Sequence, residues 1–192
     1  MFHGPDGPAW AAAKCTGTVR GVACYDPAMP DDRWRPSVTV AAVIERDGRY
    51  LLVEEDTADG VRLNNPAGHL DPGESPLEAV VRETLEETAH AFSPTALVGI
   101  YLSRFTRPAR GEDVTYVRFA FTGSVGERIA GRALDAGIHR TLWLTADEMR
   151  AEAARMRSPL VLRCLDDHLA GRRFPLDLLA TDPSVYAPAG KP

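Results

Sequence analysis

A short acidic segment with explicit helix-start signals, residues 68–90, is the most strongly patterned part of the sequence. Ser75 is followed by Pro76 and, three positions after the serine, by Glu78. This pattern is a capping box with proline at the first helical position, so it defines where a helix begins. The spacing predicts a helix from about Pro76 to Ala89, preceded by a glycine-containing loop.

The apolar residues of this helix recur at helical spacing and predict its buried face. They are Leu77, Val80, Val81, Leu85 and Thr88. Glu83, Glu86 and Glu87 fall at i, i+3 and i+4, and we expect them on the opposite side. Like charges at this spacing repel one another, whereas Mg²⁺ or Mn²⁺ would bind such converging oxygens. A run of charges is more often an ordinary solvated surface, so the cluster alone leaves both interpretations open.

The loop before the helix favours a metal site. Gly68, Glu74 and Arg82 precede the glutamates at fixed offsets and give the pattern G-x5-E-x7-R-E-x2-E-E, with Gly73 directly before Glu74. This pattern resembles the signature of the Nudix hydrolases. Because the positions are specified over one continuous stretch, the match is far more specific than an isolated glycine motif.

The resemblance implies an α+β fold, a Nudix-type α/β/α sandwich with a mixed β-sheet. Strands mixed with a few helices agree with a sheet that helices cover. We expect the Nudix domain over residues 37–180. A partly mobile N-terminal extension over residues 1–36 and a C-terminal tail over residues 181–192 would flank it.

Alternating apolar and β-branched residues predict the strands of this sheet. They cover residues 18–25, 37–45, 50–54, 61–65, 95–105, 114–125 and 138–144. Asp47 and Gly48 predict a two-residue hairpin turn. Residues 123–137 contain several glycines and predict a long loop.

Two further helices are predicted after the last strand. Thr145 with Glu148 forms a second capping box, which opens a helix that reaches about Met156. Ser158 and Pro159 open a third helix, which should stop before Gly171.

In the family that the chain resembles, the motif binds a divalent metal and cleaves a diphosphate linked to a further group, usually a nucleoside. The expected metal ligands are Glu83, Glu87, Glu86 and the carbonyl group of Gly68. Arg82 matches a residue that orients the glutamates, and Glu74 matches a supporting carboxylate. The reaction needs neutralised phosphate oxygens and an activated water. Glu86 is the first candidate within the motif to accept the proton of that water.

Three positions depart from the family pattern without removing a metal-binding oxygen, so we expect activity to be retained. Ala89 stands where a glycine is usual, and Thr84 and His90 occupy aliphatic positions. A left-handed conformation at Ala89 would cost about 1 kcal/mol. We therefore expect the helix to end in a different way, and we expect His90 to be a surface residue.

The sequence does not identify the general base outside the motif. Members of the family often carry a carboxylate just before the tryptophan of the last strand, where this chain has His139. Asp135 lies four residues earlier, and Glu112 and Asp113 lie on another loop.

Three residues outside the acidic helix are candidates to bind the substrate. His69, Arg157 and Arg173 lie in stretches similar to a bacterial phosphatase group within the family. That group acts on hydroxymethylpyrimidine pyrophosphate, thiamine pyrophosphate and nucleoside di- and triphosphates. The resemblance implies Mg²⁺-dependent hydrolysis, with Mn²⁺ as a possible substitute, of small pyrophosphates. A dinucleotide or sugar-nucleotide pyrophosphatase and a non-catalytic nucleotide-sensing module are the alternatives.

Composition and charge restrict which kinds of molecule the protein is predicted to bind and which cellular compartment it is predicted to occupy. The formal charge of −5 argues against a nucleic-acid-binding protein. No apolar run is long enough to cross a membrane, and the first residues lack a secretory pattern, which predicts a cytoplasmic protein. Cys15, Cys24 and Cys164 indicate neither a disulfide framework nor a zinc site. We expect a monomer or a homodimer with a small-molecule substrate.

Overall fold

The computed structural model describes residues 34–187. The strand expected at residues 18–25, most of the N-terminal extension, Cys15, Cys24 and the last five residues lie outside this range. Within the described residues, no helix is long and apolar enough to cross a membrane.

Strands and helices alternate irregularly along the chain. The strands are β1 (Ser37–Val43), β2 (Glu45–Arg46), β3 (Arg49–Thr57), β4 (Gly60–Asn64), β5 (Ala67–His69), β6 (His90–Arg107), β7 (Glu112–Arg128) and β8 (Ile138–Thr145). The helices are α1 (Pro76–Thr88), α2 (Ala146–Ala151) and α3 (Leu160–Leu169). The three predicted helices and the Asp47–Gly48 turn are therefore present, although α2 ends earlier than expected and continues as a single 3-10 turn.

The strands form two sheets. The first has the order β5-β1-β7-β6 and is mixed, because β1 runs parallel to β7 while the other neighbours are antiparallel. The second is antiparallel and is built around β3, which pairs with β2, β4 and β8.

Helices cover the sheets on both sides. One apolar cluster joins Ala41 and Ala120 of the first sheet and Leu52 of the second to Val161 and Leu165 of α3. The other cluster joins the opposite faces of the same sheets to α1. Its members include Val40, Ala42, Leu51, Ala79, Val80 and Phe121. The predicted α+β fold, an α/β/α sandwich with a mixed sheet, is confirmed.

The β6–β7 hairpin is longer than the sequence indicated. The predicted loop over residues 123–137 is wrong in its first half, because β7 continues to Arg128 and pairs with a strand that begins at His90. Pro94 lies opposite Gly123, and the strand register shifts between Pro94 and Ala96. A Cβ atom at Gly123 would lie 2.1 Å from the carbonyl oxygen of Ser93. This glycine therefore allows two strands to approach closely and does not form a turn.

Helix α1 begins at the predicted residue and ends one residue before Ala89, but its buried face is different. Ser75 accepts a hydrogen bond from the Glu78 N–H, and Glu78 accepts one from the Ser75 N–H. The expectation that the glutamates lie opposite the buried face is wrong for Glu83 and Glu87, which are both buried. The helix packs on the first sheet, including its edge strand β5, and also on β8 of the second sheet, so more than its apolar stripe is covered.

Two expectations at the end of α1 are corrected. Ala89 does adopt the left-handed conformation, with φ 58° and ψ 24°, and its N–H donates to the Leu85 carbonyl. His90 is buried, because β6 begins there, its Nδ1 lies 2.8 Å from the Gly126 oxygen, and its ring packs against Trp143. The chain therefore turns sharply from helix into sheet without the usual glycine.

Ala89→Gly should raise the free energy of unfolding by about 0.5 kcal/mol. The substitution removes a left-handed penalty of roughly 1–2 kcal/mol and loses about 0.8 kcal/mol from one buried methyl group. Ala89→Val is the matched opposite, because a β-branched side chain at the same φ should lower stability by about 2 kcal/mol or more. Urea unfolding of the three proteins measures both changes. A loss of stability in Ala89→Gly would contradict the strain assigned to Ala89.

Candidate active site

Gly68 brings the backbone of β5 directly onto a carboxylate of α1. A Cβ atom at this position would lie 2.1 Å from Cδ and from Oε1 of Glu83. Any other residue would therefore displace Glu83 or the strand. This contact explains in physical terms why the loop motif contains a glycine here.

Arg82 ties the loop to the helix. Its Nε and Nη2 donate to the two oxygens of Glu74 at 3.0 and 2.6 Å, and Nη1 donates to Glu83 at 2.8 Å and to Glu86 at 3.1 Å. Nη2 also donates to the carbonyl oxygen of His69. The guanidinium lowers the pKa of Glu74 below its ordinary value. These donors are all engaged within the protein, so Arg82 links Glu74 and the His69 carbonyl of the loop to Glu83 and Glu86 of the helix.

Glu87 and Glu83 are carboxylates without full charge compensation. Burial raises the pKa of Glu87 to about 8, although the N–H of Ala67 donates to Glu87 Oε2 at 2.8 Å. The charges of Glu55, Glu83 and Asp135 raise it further. Burial also raises the pKa of Glu83, against the opposing effect of Arg82. These groups together favour a bound positive charge.

The residues present fit a divalent cation, although their side chains are not arranged as a complete metal-binding site. Among residues 34–187, no three acidic, histidine or cysteine side chains are arranged closely enough to hold a metal ion. Glu83 and Glu86 instead direct oxygens at Arg82. Glu55 Oε1 is buried and has no hydrogen-bond partner within the described chain. Hard oxygen atoms, a carboxylate oxygen without a partner and a raised carboxylate pKa are what Mg²⁺ or Mn²⁺ would stabilise.

Two acidic residues outside the motif lie at this cluster. Glu55 comes from the end of β3, where the strand register shifts after Glu54, and it was not singled out from the sequence. In the sequence, the only feature that marked Glu55 was its position as an acidic residue at the end of an apolar strand. Asp135 was considered as a base, and its N–H donates to the Glu86 carbonyl at 3.1 Å, which holds its loop on α1. Glu55 and Asp135 both act electrostatically on Glu87.

The other residues considered as bases are engaged in ion pairs elsewhere. His139 Nε2 lies 2.9 Å from Asp56 Oδ1. Glu112 accepts from Arg107 at 2.9 Å, and Asp113 accepts from Arg104 at 2.7 Å, both beside the β6–β7 turn. Asp135 is therefore the member of that group that the fold brings to α1.

The three predicted substrate-binding residues are separated by the fold. His69 is exposed and follows Gly68 at the edge of the site. Arg157 donates to Glu55 Oε2 at 2.7 Å, so it also borders the acidic cluster. Arg173 instead donates to the carbonyl oxygen and the ring of His168 in α3.

The contacts of Arg173 fix the protonation of a buried histidine. Arg173 Nη2 lies 2.6 Å from His168 Nε2, and a guanidinium nitrogen can only donate, so Nε2 is the acceptor. The ring proton therefore resides on Nδ1, which donates to the Tyr50 hydroxyl at 3.1 Å. Burial, assisted by the charge of Arg173, lowers the pKa of His168 to about 4. His168 is consequently neutral at pH 7.

This neutral histidine predicts a pH dependence of folding. Because the folded pKa is below the unfolded value of about 6.5, stability is complete above that value and is lost as the pH falls towards 4. Between pH 7 and 5.5, wild type should lose about 1 kcal/mol more than His168→Gln. Urea unfolding at the two pH values measures this difference, in which the contributions of the other groups cancel. Equal pH dependence in both proteins would contradict a neutral His168, and the exposed His139→Gln serves as the control.

Comparison with known proteins gives one consistent result. A family model described as "NUDIX domain" matches residues 33–164. The chain is 31% identical over 146 residues to phosphatase NudJ of Escherichia coli K12, covering 76% of this chain and 92% of that protein. A Nudix hydrolase structure from Nitrosomonas europaea has a TM-score of 0.71 and 50% identity, over 77% of this chain and 98% of that one. The structure of a MutT Nudix hydrolase from Burkholderia pseudomallei, 23% identical with a TM-score of 0.57, covers 70% of this chain and 98% of its own and supports the fold.

Proposed function

Because this chain belongs to the Nudix hydrolases, we propose that it releases phosphate from small pyrophosphates in a reaction that requires Mg²⁺ or Mn²⁺. The observation that carries the proposal is the set of buried, incompletely compensated carboxylates gathered around Gly68. The proposed substrates are hydroxymethylpyrimidine pyrophosphate, thiamine pyrophosphate and nucleoside di- and triphosphates. The similarity to phosphatase NudJ supports this choice.

Each acidic residue has a separate proposed role. Glu83, Glu87 and the carbonyl group of Gly68 would hold the cation, with Glu86 as a further ligand. A cation there would neutralise phosphate oxygens and make water more acidic. Arg82 would keep Glu83 and Glu86 in place when the substrate is absent, because its donors contact both. Glu74 would support Arg82 through their two hydrogen bonds.

Proton transfer requires a carboxylate that water can reach. Glu86 is one-third exposed at its side chain and satisfies this condition within the motif. Asp135 is exposed, and its loop lies on the carbonyl of Glu86. We propose Glu86 as the base, with Asp135 as the alternative outside the motif. Comparing the loss of turnover in Glu86→Gln and Asp135→Asn, each with Mg²⁺ binding measured separately, distinguishes them.

The first product separates the two hydrolytic alternatives. A phosphatase acting on nucleoside triphosphates releases inorganic phosphate first, whereas a dinucleotide or sugar-nucleotide pyrophosphatase releases nucleoside monophosphate. A phosphate-release screen with Mg²⁺ and Mn²⁺ over the proposed substrates, with product analysis by chromatography, tests this point. Absence of turnover on every pyrophosphate would leave the nucleotide-sensing alternative.

Glu87→Gln should reduce phosphate release by roughly 100-fold or more, since even outer-shell partners of a metal contribute about 10- to 100-fold. The amide can still accept the Ala67 hydrogen bond but cannot supply the charge. Addition of Mg²⁺ should raise the unfolding temperature of wild type and leave that of Glu87→Gln nearly unchanged.

Glu127→Gln is the matched control for this prediction. Its carboxylate is 94% exposed at the end of β7, so turnover and the Mg²⁺ effect should both remain as in wild type. Undiminished turnover in Glu87→Gln would overturn the proposed metal site.

A further inference from the structure

Arg118 lies in the middle of the first sheet, in a row of polar residues that crosses it. Its register partners are Thr39 on β1 and Tyr101 on β6, and Thr39 in turn pairs with His69 on β5. Directly opposed residues share one face of a sheet. The row therefore leads from the exposed His69, beside the motif loop, into the interior of the protein.

Two members of this row carry buried polar atoms without partners. Arg118 is 9% exposed, and its Nη1 has no hydrogen-bond partner within residues 34–187. The hydroxyl oxygen of Thr39, which is 7% exposed, is also buried without a partner there. A buried guanidinium nitrogen that lacks an acceptor destabilises a fold. Two such atoms, on directly opposed residues of neighbouring strands, indicate a place where an acceptor binds.

The charges around Arg118 connect this place to the acidic cluster. Burial lowers the pKa of Arg118, the negative charges of Glu55 and Glu87 oppose that change, and the charge of Arg157 adds to it. The neighbouring Cys164 does not balance the guanidinium, because burial raises its pKa to about 11 and it remains a neutral thiol. If Glu87 binds a cation, its negative charge no longer balances the positive charge of Arg118. Arg118 then needs another anion.

We propose that Arg118 and Thr39 bind a non-bridging phosphate oxygen of the substrate beside the glutamates of α1. The inference rests on the proposed function, because it assigns a second group that holds the same phosphate chain. A phosphate oxygen carries a negative charge, whereas the carbonyl oxygen of a nucleobase is neutral. Hydrogen bonds from a guanidinium to a phosphate are therefore charge-assisted. Arg118 is thus a binding residue, distinct from Arg82, whose donors are already engaged within the protein.

Binding of methylenediphosphonate in the presence of Mg²⁺, measured by calorimetry, tests the inference without turnover. Arg118→Met, which keeps length but removes the charge, should weaken binding by about tenfold or more, the effect of losing one charge-assisted hydrogen bond. Arg128→Met, at an exposed position on the same strand, is the control and should bind as wild type does. Affinity for Mg²⁺ alone should stay within about twofold in all three, since the proposed metal ligands are unchanged.

Thermal unfolding of the free proteins adds a second measurement. Arg118→Met should unfold at the same or a higher temperature than wild type, because an unpartnered buried charge has been removed. A purely structural arginine would give the opposite result, a large loss of stability together with unchanged affinity in the folded fraction.

The outcomes separate this inference from the proposed function. Wild-type affinity for methylenediphosphonate in Arg118→Met overturns the phosphate site while leaving the hydrolase intact. A wild-type protein that neither binds the diphosphonate nor hydrolyses any pyrophosphate contradicts both. If Arg118→Met does not fold, Thr39→Val decides, because it should weaken binding by about threefold or more, and unchanged affinity overturns the site.

Discussion

The burial of carboxylates against a glycine backbone is the interaction on which this site depends. Glu83 occupies the space that a side chain at position 68 would need. Carboxylates in such a position repel one another and lose hydration, so they stay charged only if cations lie nearby. Arg82 supplies one positive charge and holds the loop to the helix. The remaining deficit at Glu87 is the physical basis for expecting a metal ion.

A buried positive charge lies near these acids. Arg118 is a buried positive charge on the first sheet, whereas Glu55 and Glu87 come from β3 and α1. Neither side is neutralised by a direct ion pair with the other within the described chain. Stability alone would favour pairing these charges or replacing them with apolar groups. Their separation is what a site for a metal ion and an anionic phosphate chain requires.

Local patterns predicted the structure well where a few adjacent residues decide the outcome. Ser75 with Glu78 and Thr145 with Glu148 form the capping boxes that start α1 and α2, and Asp47 forms the hairpin turn with Gly48. The sequence predicted a β6–β7 hairpin that is shorter than the observed one. Proline and glycine indicate breaks when neighbours alone are considered, but there they accommodate bulges and close strand contact in a paired sheet.

By itself, the sequence determined the family pattern, the start of α1 and the acidic residues of the motif. These features depend on spacing within about one loop and one helix, which the chain order specifies directly. Only the tertiary structure decided that Glu83 and Glu87 are buried, that His90 is covered, and that Glu55 and Arg118 border the same site. The physical reason is that burial and charge balance depend on which distant strands meet, and residues 55, 87 and 118 come together only when the two sheets and α1 pack together.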